Sequence, residues 1–150
     1  MNIISEKREH QTFHVGFKAF IADGEKLLIL QDGEGLWELP GGRTEKQEIF
    51  KPSHEILARE TAEELGEQFE YTPGPIFHAW IRKPNELNEY KDKKDFCLFL
   101  VGIRCTYKSG DVVLSPEHTG FRWITKDEIE SLLFENTYKE AIEKYFENSL

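Results

Sequence analysis

The sequence predicts an α/β fold in which a mixed central β-sheet carries helices on both of its faces. The first observation behind this prediction is a series of short segments with the alternating or apolar composition of strands. The second is the helical periodicity of residues 53–65 and 138–146. Strands and helices in this order bury their apolar sides most simply as layers, with the helices packed on a sheet.

The first part of the chain predicts three strands that lead into a turn with two consecutive glycines. Residues 1–11 are charged and aperiodic, and we expect them to be a loose lead-in. Apolar residues alternate with polar or small ones over residues 12–22, which indicates a half-buried strand. Asp23-Gly24 is typical of a tight turn, and residues 26–31 are the predicted return strand. Residues 36–39 predict a third, short strand.

The middle of the chain predicts a helix and then further strands. Ser53 is the expected N-cap of this helix and Gly66 its expected stop. Residues 83–95 form a long polar connection and are therefore a candidate functional loop. The predicted strands are 68–72 (ended by Pro73-Gly74-Pro75), 76–82, 95–106, the short segment 111–114, and 121–124.

Two capping signals predict helices near the C-terminus. Thr125 and Glu128 match a capping box, which predicts a helix that runs to about Phe134. Asn136 or Thr137 is the expected cap of the last helix. The apolar stripe of that helix consists of Tyr138, Ala141, Ile142, Tyr145 and Phe146.

The length and charge of the chain limit its function. A chain of 150 residues predicts a single domain over residues 1–150, and 39% hydrophobic residues suffice for a core. The net charge of −9 argues against a nucleic-acid polymer as partner, because a polymer backbone requires a basic face. A single nucleotide remains compatible with this charge if a metal ion or a local arginine supplies positive charge.

The cysteines and the apolar runs predict the compartment. Cys97 and Cys105 are expected on one strand, about 26 Å apart, whereas a disulfide requires Cα atoms within about 7 Å. Free thiols are typical of the cytosol. The apolar run 96–103 is too short to span a membrane, and the polar N-terminus lacks the apolar core of a signal peptide. We therefore expect a cytoplasmic protein with no membrane partner.

The helix predicted over residues 53–65 gathers acidic residues on one side. At 100° per residue, Glu60, Glu63, Glu64 and Glu67 fall within one arc of about 100°. Like charges three and four positions apart repel by roughly 0.2–0.5 kcal/mol per pair. Anions in the C-terminal half of a helix also oppose the helix dipole. The arrangement therefore has an electrostatic reason to bind a cation.

Two interpretations of this acidic face remain at this point. An isolated Glu-x-x-Glu-Glu is usually a solvated surface helix, whereas a bound divalent cation would remove both electrostatic penalties. Carboxylate ligands without His or Cys favour Mg²⁺ or Mn²⁺ over Zn²⁺. Arg59, the nearby positive charge, lies one turn before Glu63 and can pair with it.

The spacing of these residues resembles the Nudix box. The usual pattern of that box is Gly, five residues, Glu, seven residues, and then Arg-Glu-apolar-x-Glu-Glu-x-Gly-apolar. Gly42 and Glu48 match the first interval, and residues 59–66 (Arg-Glu-Thr-Ala-Glu-Glu-Leu-Gly) match the core. The resemblance implies the Nudix α/β/α sandwich, with the mixed sheet between helices.

Three features depart from the Nudix pattern. The middle spacer, residues 49–58, contains ten residues instead of seven. Thr61 stands where an aliphatic residue is usual, and Glu67 where the final apolar residue is usual. The longer spacer is expected to enlarge the loop before the helix, which leaves open whether Glu48 reaches the supporting position that the family implies.

The resemblance implies a metal-dependent hydrolase. The implied reaction cleaves a phosphoanhydride in a nucleoside diphosphate linked to another moiety, as in a dinucleoside polyphosphate, a nucleotide sugar or a nucleoside triphosphate. The implied ligands of Mg²⁺ (or Mn²⁺) are the Gly42 carbonyl, Glu60, Glu63 and Glu64, and Arg59 would orient the glutamates. By the same analogy, the protein is expected to bind a nucleotide-type small molecule and to form a homodimer.

Three further residues are candidates for the site. Glu117, in Ser115-Pro116-Glu117-His118, is the candidate for an additional catalytic or metal-binding acid, because this region resembles several Nudix branches, diadenosine tetraphosphate hydrolases among them. Its alternative is a solvated loop acid, and His118 is then a loop histidine. Arg43 is either a phosphate contact or an exposed loop arginine. Trp37 either stacks on a base or belongs to the core.

Two functional hypotheses follow from the sequence. The first is a Nudix pyrophosphohydrolase, and the complete acidic cluster favours it. The second is a non-catalytic Nudix-fold module that binds a nucleotide or a protein, and the lengthened spacer motivates it. Retained nucleotide binding without turnover would distinguish the second hypothesis from the first.

Overall fold

A computed structural model describes residues 7–82 and 97–148, which form seven strands, two α-helices and two short 3₁₀ helices. In chain order the elements are β1 (Phe13–Asp23), β2 (Lys26–Asp32), β3 (Trp37–Glu38), β4 (Gly41–Arg43), a 3₁₀ helix (Lys46–Glu48), α1 (Ser53–Leu65), β5 (Glu70–Arg82), β6 (Cys97–Ser109), β7 (His118–Ile124), a second 3₁₀ helix (Lys126–Ser131) and α2 (Asn136–Glu147).

The strands form one mixed sheet. Its central order is β3-β2-β1-β6-β5, while β4 pairs with β1 and β7 pairs with β2. The β1–β6 pair is parallel over ten residue pairs, and the remaining pairs are antiparallel. The predicted mixed sheet is therefore confirmed.

Helices cover both faces of the sheet because alternate residues of the central strands point to opposite sides. Phe20 and Ile29 belong to one buried cluster, together with the apolar stripe of α2. Ile21 and Leu30 belong to the other buried cluster, together with Leu57 of α1. The continuous apolar run of β2 is thus explained by burial on both faces, and the predicted α/β/α sandwich is confirmed.

Several predicted element boundaries were wrong. The strand predicted to stop at residue 72 instead runs through Pro73-Gly74-Pro75 to Arg82 as one edge strand, with irregular register between Pro73 and Ile76. An edge strand tolerates prolines because one side of it needs no partner. Residues 111–114 form no strand, although the Val113 amide donates to the Leu65 carbonyl (2.9 Å).

The helix ends and caps in the structure also differ from the predicted ones. The Thr125–Glu128 capping box is present, but it begins a 3₁₀ helix that ends at Ser131. Glu135 caps α2, because its carboxylate accepts from the Thr137 and Tyr138 amides. The other changes are the start of β7 at His118 rather than 121, Pro52 rather than Ser53 at the N-cap of α1, and the end of β6 at Ser109 rather than 106.

Part of the predicted chain lies outside the described residues. This applies to the candidate loop 83–95, to the first two residues of the strand predicted over 95–106, and to residues 1–6 of the lead-in. Residues 7–12 have no regular secondary structure. Within the described residues, neither helix has the length and apolar composition that a membrane crossing requires.

The two cysteines are free thiols on β6, as predicted, and we expect them to differ in reactivity. Cys105 is 4% exposed, and burial raises the pKa of its thiol to about 12. Cys97 is only partly buried. Since the thiolate is the reactive form, iodoacetamide at pH 8 should label Cys97 well before Cys105, as measured by peptide mass spectrometry. The two rates should become similar in urea, and equal rates in the native protein would contradict this expectation.

Candidate active site

The glycine turn between β3 and β4 forms one edge of a cavity of about 680 Å³. Gly41 and Gly42 pair with Lys18 and Phe17 of β1. Gly41 has a φ of 132°, and the position of a Cβ there would lie 2.0 Å from the Phe17 carbonyl oxygen. Only glycine fits this conformation without strain, which explains why the chain needs it at this point.

The acidic residues of α1 face the same cavity. Glu60, Glu63 and Glu64 all line it. Their environments differ: the Glu63 side chain is 60% exposed, that of Glu60 is 18% exposed, and that of Glu64 is 6% exposed. Glu64 accepts a hydrogen bond from the Gly41 amide (2.7 Å), so the helix and the turn are joined directly.

The predicted fourth acid of this face lies elsewhere. Because α1 ends at Leu65, Glu67 follows the helix and lines a separate, smaller cavity beside Thr61 and Tyr71. Thr61, the polar substitute for the usual aliphatic residue, is buried with its hydroxyl satisfied. It donates to the Leu57 carbonyl (3.0 Å) and lies 2.9 Å from the Tyr71 hydroxyl.

Arg59 connects the acidic residues to one another. Its Nε and Nη2 donate to the two carboxylate oxygens of Glu48 at 2.7 and 2.8 Å. Its Nη1 lies 2.8 Å from Glu60 and 3.5 Å from Glu63. Its Nη2 also donates to the Arg43 carbonyl (3.2 Å), which ties the helix to β4. The guanidinium thus fixes two cavity carboxylates relative to the turn.

The longer spacer does not displace Glu48. The 3₁₀ helix 46–48 ends there, and the extra residues form an exposed turn in which Phe50 is 95% exposed. Glu48 itself is buried, and it also accepts from the Glu45 amide (2.9 Å). The Arg59 hydrogen bonds and the Glu45 amide lower the pKa of Glu48 to about 2. Glu48 therefore contacts Arg59 despite the ten-residue spacer.

The residues present fit a divalent cation. A Cβ built on Gly42 would lie 2.4–2.6 Å from the carboxylate atoms of Glu60, so the carboxylate packs directly against the turn backbone. Glu64 reaches the neighbouring Gly41 amide. Oxygen donors from Gly42, Glu60, Glu63 and Glu64 are the donor class that Mg²⁺ and Mn²⁺ prefer.

A buried polar group forms the inner wall of the cavity, and the sequence analysis did not find it. His118 Nε2 lies 2.8 Å from Glu38 Oε1 and 3.4 Å from Glu64 Oε2. These three side chains bring potential ligand atoms within 4.8 Å of one another. Lys18 lies beside them and lines the cavity together with Tyr138. The sequence predicts a loop histidine at position 118, because nothing in the sequence marks this residue as buried.

Around this wall, burial and charged neighbours shift the pKa values of the carboxyl groups in opposite directions. Burial raises the pKa of Glu64 to about 7, although Lys18 and the Gly41 amide act in the opposite direction. Burial also raises the pKa of Glu60, an effect that Arg59 reduces. For Glu38, the effect of burial is outweighed by Lys18 and His118, which lower its pKa. Metal-free protein near neutral pH therefore holds Glu64 close to its point of titration.

The remaining predicted residues lie in three different environments. Glu117 is exposed and lines the cavity. Arg43 also lines the cavity, with its Nη1 3.4 Å from His14 Nδ1. Trp37 packs in the apolar core with 9% exposure and does not line the cavity. The structure thus brings Glu117 and Arg43 to the site and places Trp37 in the alternative, core position.

The chain is similar to known proteins over most of its length. The family model of the NUDIX domain matches residues 12–145. Among solved structures, the MutT protein from Methanosarcina mazei Go1 is similar in fold, with 22% identity over 93% of this chain and 96% of that one, at a TM-score of 0.71.

Two other solved structures share the fold. One is an ADP-ribose pyrophosphatase from Streptococcus suis, with 19% identity over 89% of this chain and 87% of that one, at a TM-score of 0.64. The other is the E. coli dihydroneopterin triphosphate pyrophosphohydrolase, with 16% identity over 93% of this chain and 100% of that one, at a TM-score of 0.67. Since the family model covers most of the sequence and the box residues meet at one cavity, the chain belongs to the Nudix hydrolase family.

Proposed function

We propose that the protein hydrolyses a phosphoanhydride bond in a nucleoside diphosphate linked to another moiety, with Mg²⁺ or Mn²⁺ as cofactor. The observation that supports this proposal is that one cavity is lined by Gly42, Glu60, Glu63 and Glu64. Glu48 accepts two hydrogen bonds from Arg59 and so fixes its guanidinium beside them. A pyrophosphate can approach such an acidic wall only when cations neutralise it. The cavity therefore suits a metal-bound polyphosphate.

The reaction requires water to attack one phosphorus while the bridging P–O bond breaks. The bound cation would neutralise the diphosphate and lower the pKa of the attacking water. Glu60, Glu63, Glu64 and the Gly42 carbonyl would hold it, and Arg59 would keep the glutamates oriented. Glu117, which is exposed and lines the same cavity, is the proposed additional acid, either as a ligand or as the group that accepts the water proton. Arg43 is the proposed phosphate contact.

The substrate class is tested by a panel. Solved structures of similar fold include an ADP-ribose pyrophosphatase, a UDP-X diphosphatase and a dihydroneopterin triphosphate pyrophosphohydrolase. The panel therefore contains dinucleoside polyphosphates, nucleotide sugars and nucleoside triphosphates, each with Mg²⁺ and with Mn²⁺. Release of phosphate or of a nucleoside monophosphate is measured, with Glu63→Gln as a matched variant on an exposed ligand. Absence of turnover on every compound, or wild-type turnover in the variant, would contradict the proposal.

The contacts of Glu48 favour the hydrolase over the alternative, a non-catalytic Nudix-fold module that binds a nucleotide or a protein. It rested on the longer spacer, yet Glu48 contacts Arg59 through two hydrogen bonds despite the extra residues. The cytoplasmic location, the homodimer and the choice between Mg²⁺ and Mn²⁺ stay predictions from the sequence.

The Glu48–Arg59 pair predicts a second measurable effect. Glu48→Gln keeps the side-chain volume but removes the charge from both hydrogen bonds to Arg59, so the orientation of Glu60 and Glu63 should be relaxed. We expect kcat to fall about 10–100-fold, the usual effect of losing a partner that orients ligands. Because the pKa of Glu48 lies near 2, the wild-type pair should persist at every pH above about 4.5 and weaken only as the pH falls toward 2.

Glu45→Gln is the matched control for Glu48→Gln. Glu45 also faces Arg59 (3.2 Å), but its side chain is 47% exposed, and exposed pairs contribute little. Steady-state kinetics should therefore show a less than roughly threefold change in kcat for Glu45→Gln. Equal effects of the two variants would show that the buried contact has no special role.

A further inference from the structure

Three successive carbonyl groups of the glycine turn accept hydrogen bonds from two adjacent residues of β1. Lys18 Nζ donates to the Leu39 carbonyl (3.3 Å) and to the Gly41 carbonyl (3.1 Å). Between them, the Pro40 carbonyl accepts from the backbone amide of Ala19 (2.8 Å). The turn is thus held from one side by a backbone bond and from the other by a single ammonium group.

Lys18 is buried, which is unusual for a lysine and requires an explanation. Tyr138 of α2 lies beside it, with the Lys18 Nζ 5.6 Å from the centre of the Tyr138 ring. An ammonium group has three N–H donors, and two of them are used by the Leu39 and Gly41 carbonyls. Lys18 therefore connects β1 to the glycine turn, although it also lines the cavity.

The Gly41 peptide transmits this contact to the acidic helix. Its carbonyl accepts from Lys18 Nζ, while its amide donates to Glu64 Oε1 (2.7 Å). The next residue is Gly42, against which the Glu60 carboxylate packs. A shift of the turn would therefore move two groups at once: the Gly41 amide, which orients Glu64, and the Gly42 backbone beside Glu60.

We propose that Lys18 is a positioning residue for the metal-binding centre: its ammonium group fixes the turn at Leu39 and Gly41, and through the Gly41 peptide it orients Glu64 and the Gly42 carbonyl. The part of this inference that concerns turnover rests on the proposed function. The part that concerns the turn does not, since the contacts are made by the protein alone.

The first experiment measures hydrogen exchange of the Gly41 amide by NMR in metal-free protein. Lys18→Met has a similar length but no donors, so Leu39 and Gly41 lose their side-chain partner. We expect the Gly41 amide to exchange about 10-fold faster than in the wild type, which corresponds to the loss of one ordinary hydrogen bond. The Val113 amide, which donates to Leu65 at the far end of α1, is the internal control and should be unchanged.

The second experiment measures turnover at saturating Mg²⁺. If Lys18 orients Glu64 without touching the substrate, Lys18→Met should lower kcat about 10–100-fold while KM changes less than about twofold. Lys144→Met, on the exposed side of α2, is the matched control and should leave both constants unchanged. Thermal unfolding of each variant shows whether the protein is folded at the assay temperature.

Lys18→Arg keeps the test decisive if Lys18→Met does not fold. The guanidinium keeps the charge but is longer and planar, so it cannot place one donor atom between the two carbonyls as Nζ does. We expect faster Gly41 exchange and lower kcat in this variant too. Wild-type exchange and kcat in a folded Lys18 variant would overturn the proposal. A wild-type protein that hydrolyses no substrate would refute the proposed function, and the exchange experiment would still decide the role of Lys18.

Discussion

Glu64→Gln is expected to lower kcat about 10²–10⁴-fold and, at the same time, to stabilise the metal-free protein at pH 8. Glu64 is the most buried of the three acids of α1, and its Oε1 accepts from the Gly41 amide. Glutamine retains an oxygen for that hydrogen bond but loses the charge. The variant therefore removes a proposed metal ligand without removing the contact that joins α1 to the turn.

The stabilising effect follows from the pKa of Glu64. Burial raises this pKa to about 7 from an ordinary value of 4.5, so the folded state holds the proton more tightly than the unfolded state does. The corresponding stability is complete below pH 4.5 and is lost as the pH rises through 7. A shift of this size amounts to roughly 3 kcal/mol, or about 6–12 °C in Tm for a domain of this length.

The measurement is thermal unfolding in EDTA at pH 5 and pH 8. The wild type should lose more stability between these two values than Glu64→Gln, and Mg²⁺ should stabilise the wild type most at pH 8, where Glu64 is charged. Glu117→Gln is the control, because Glu117 is exposed and should change kcat with little change in the pH dependence of stability. Parallel curves for the wild type and Glu64→Gln would contradict the expectation.

The parts of the fold that depend on short-range pattern could be predicted. Alternation along residues 12–22 and the apolar run of β2 suffice to indicate strands, and their burial on both faces follows from the strand period. The spacing from Gly42 to Gly66 resembles the Nudix box, and the NUDIX family model matches residues 12–145. These features are encoded in neighbouring residues, so they do not require knowledge of the tertiary structure.

The inner wall of the site could not be predicted, because its residues are buried only by distant partners. Lys18 contacts residues 21 and 23 positions away, and Glu38 meets His118 across 80 positions. Charged and polar residues are normally exposed, so the sequence gives no sign that Lys18 and His118 are buried and that Glu38 is partly buried. Trp37 shows the converse: the sequence leaves open whether it stacks on a base or belongs to the core, and the structure places it in the core.

The predicted ends of strands and helices are wrong where local sequence signals and the tertiary structure disagree. Pro73-Gly74-Pro75 is a strong local breaker, yet β5 continues through it because the strand lies at the sheet edge. The Thr125–Glu128 capping box begins a helix as expected, but it does not determine whether that helix is α or 3₁₀.

Substitution by alanine is expected to affect stability at one glycine of the turn and activity at the other. Gly41→Ala should destabilise the protein by about 3 kcal/mol or more, because its φ of 132° disfavours side chains and the new Cβ would meet the Phe17 carbonyl oxygen and the Lys18 Cα, at 2.0 and 2.9 Å. Backbone atoms paired in β1 and β4 cannot move aside. For a domain of this length, Tm should fall by about 6–12 °C, measured by calorimetry.

Gly42→Ala should instead preserve the fold and impair the site. The three atoms nearest to the new Cβ all belong to the Glu60 carboxylate, the mobile end of a side chain, at 2.4–2.6 Å. Glu60 can rotate away, so Tm should change by less than about 3 °C while kcat falls about 100-fold, since displacing one positioned group has an effect of this order. Gly33→Ala, where a Cβ has nothing within 4 Å, is the control for alanine itself and should leave Tm unchanged. If Gly41→Ala were as stable as Gly33→Ala, or if Gly42→Ala kept wild-type kcat, the turn would not be the rigid edge of the site, because a flexible turn would accommodate either methyl group.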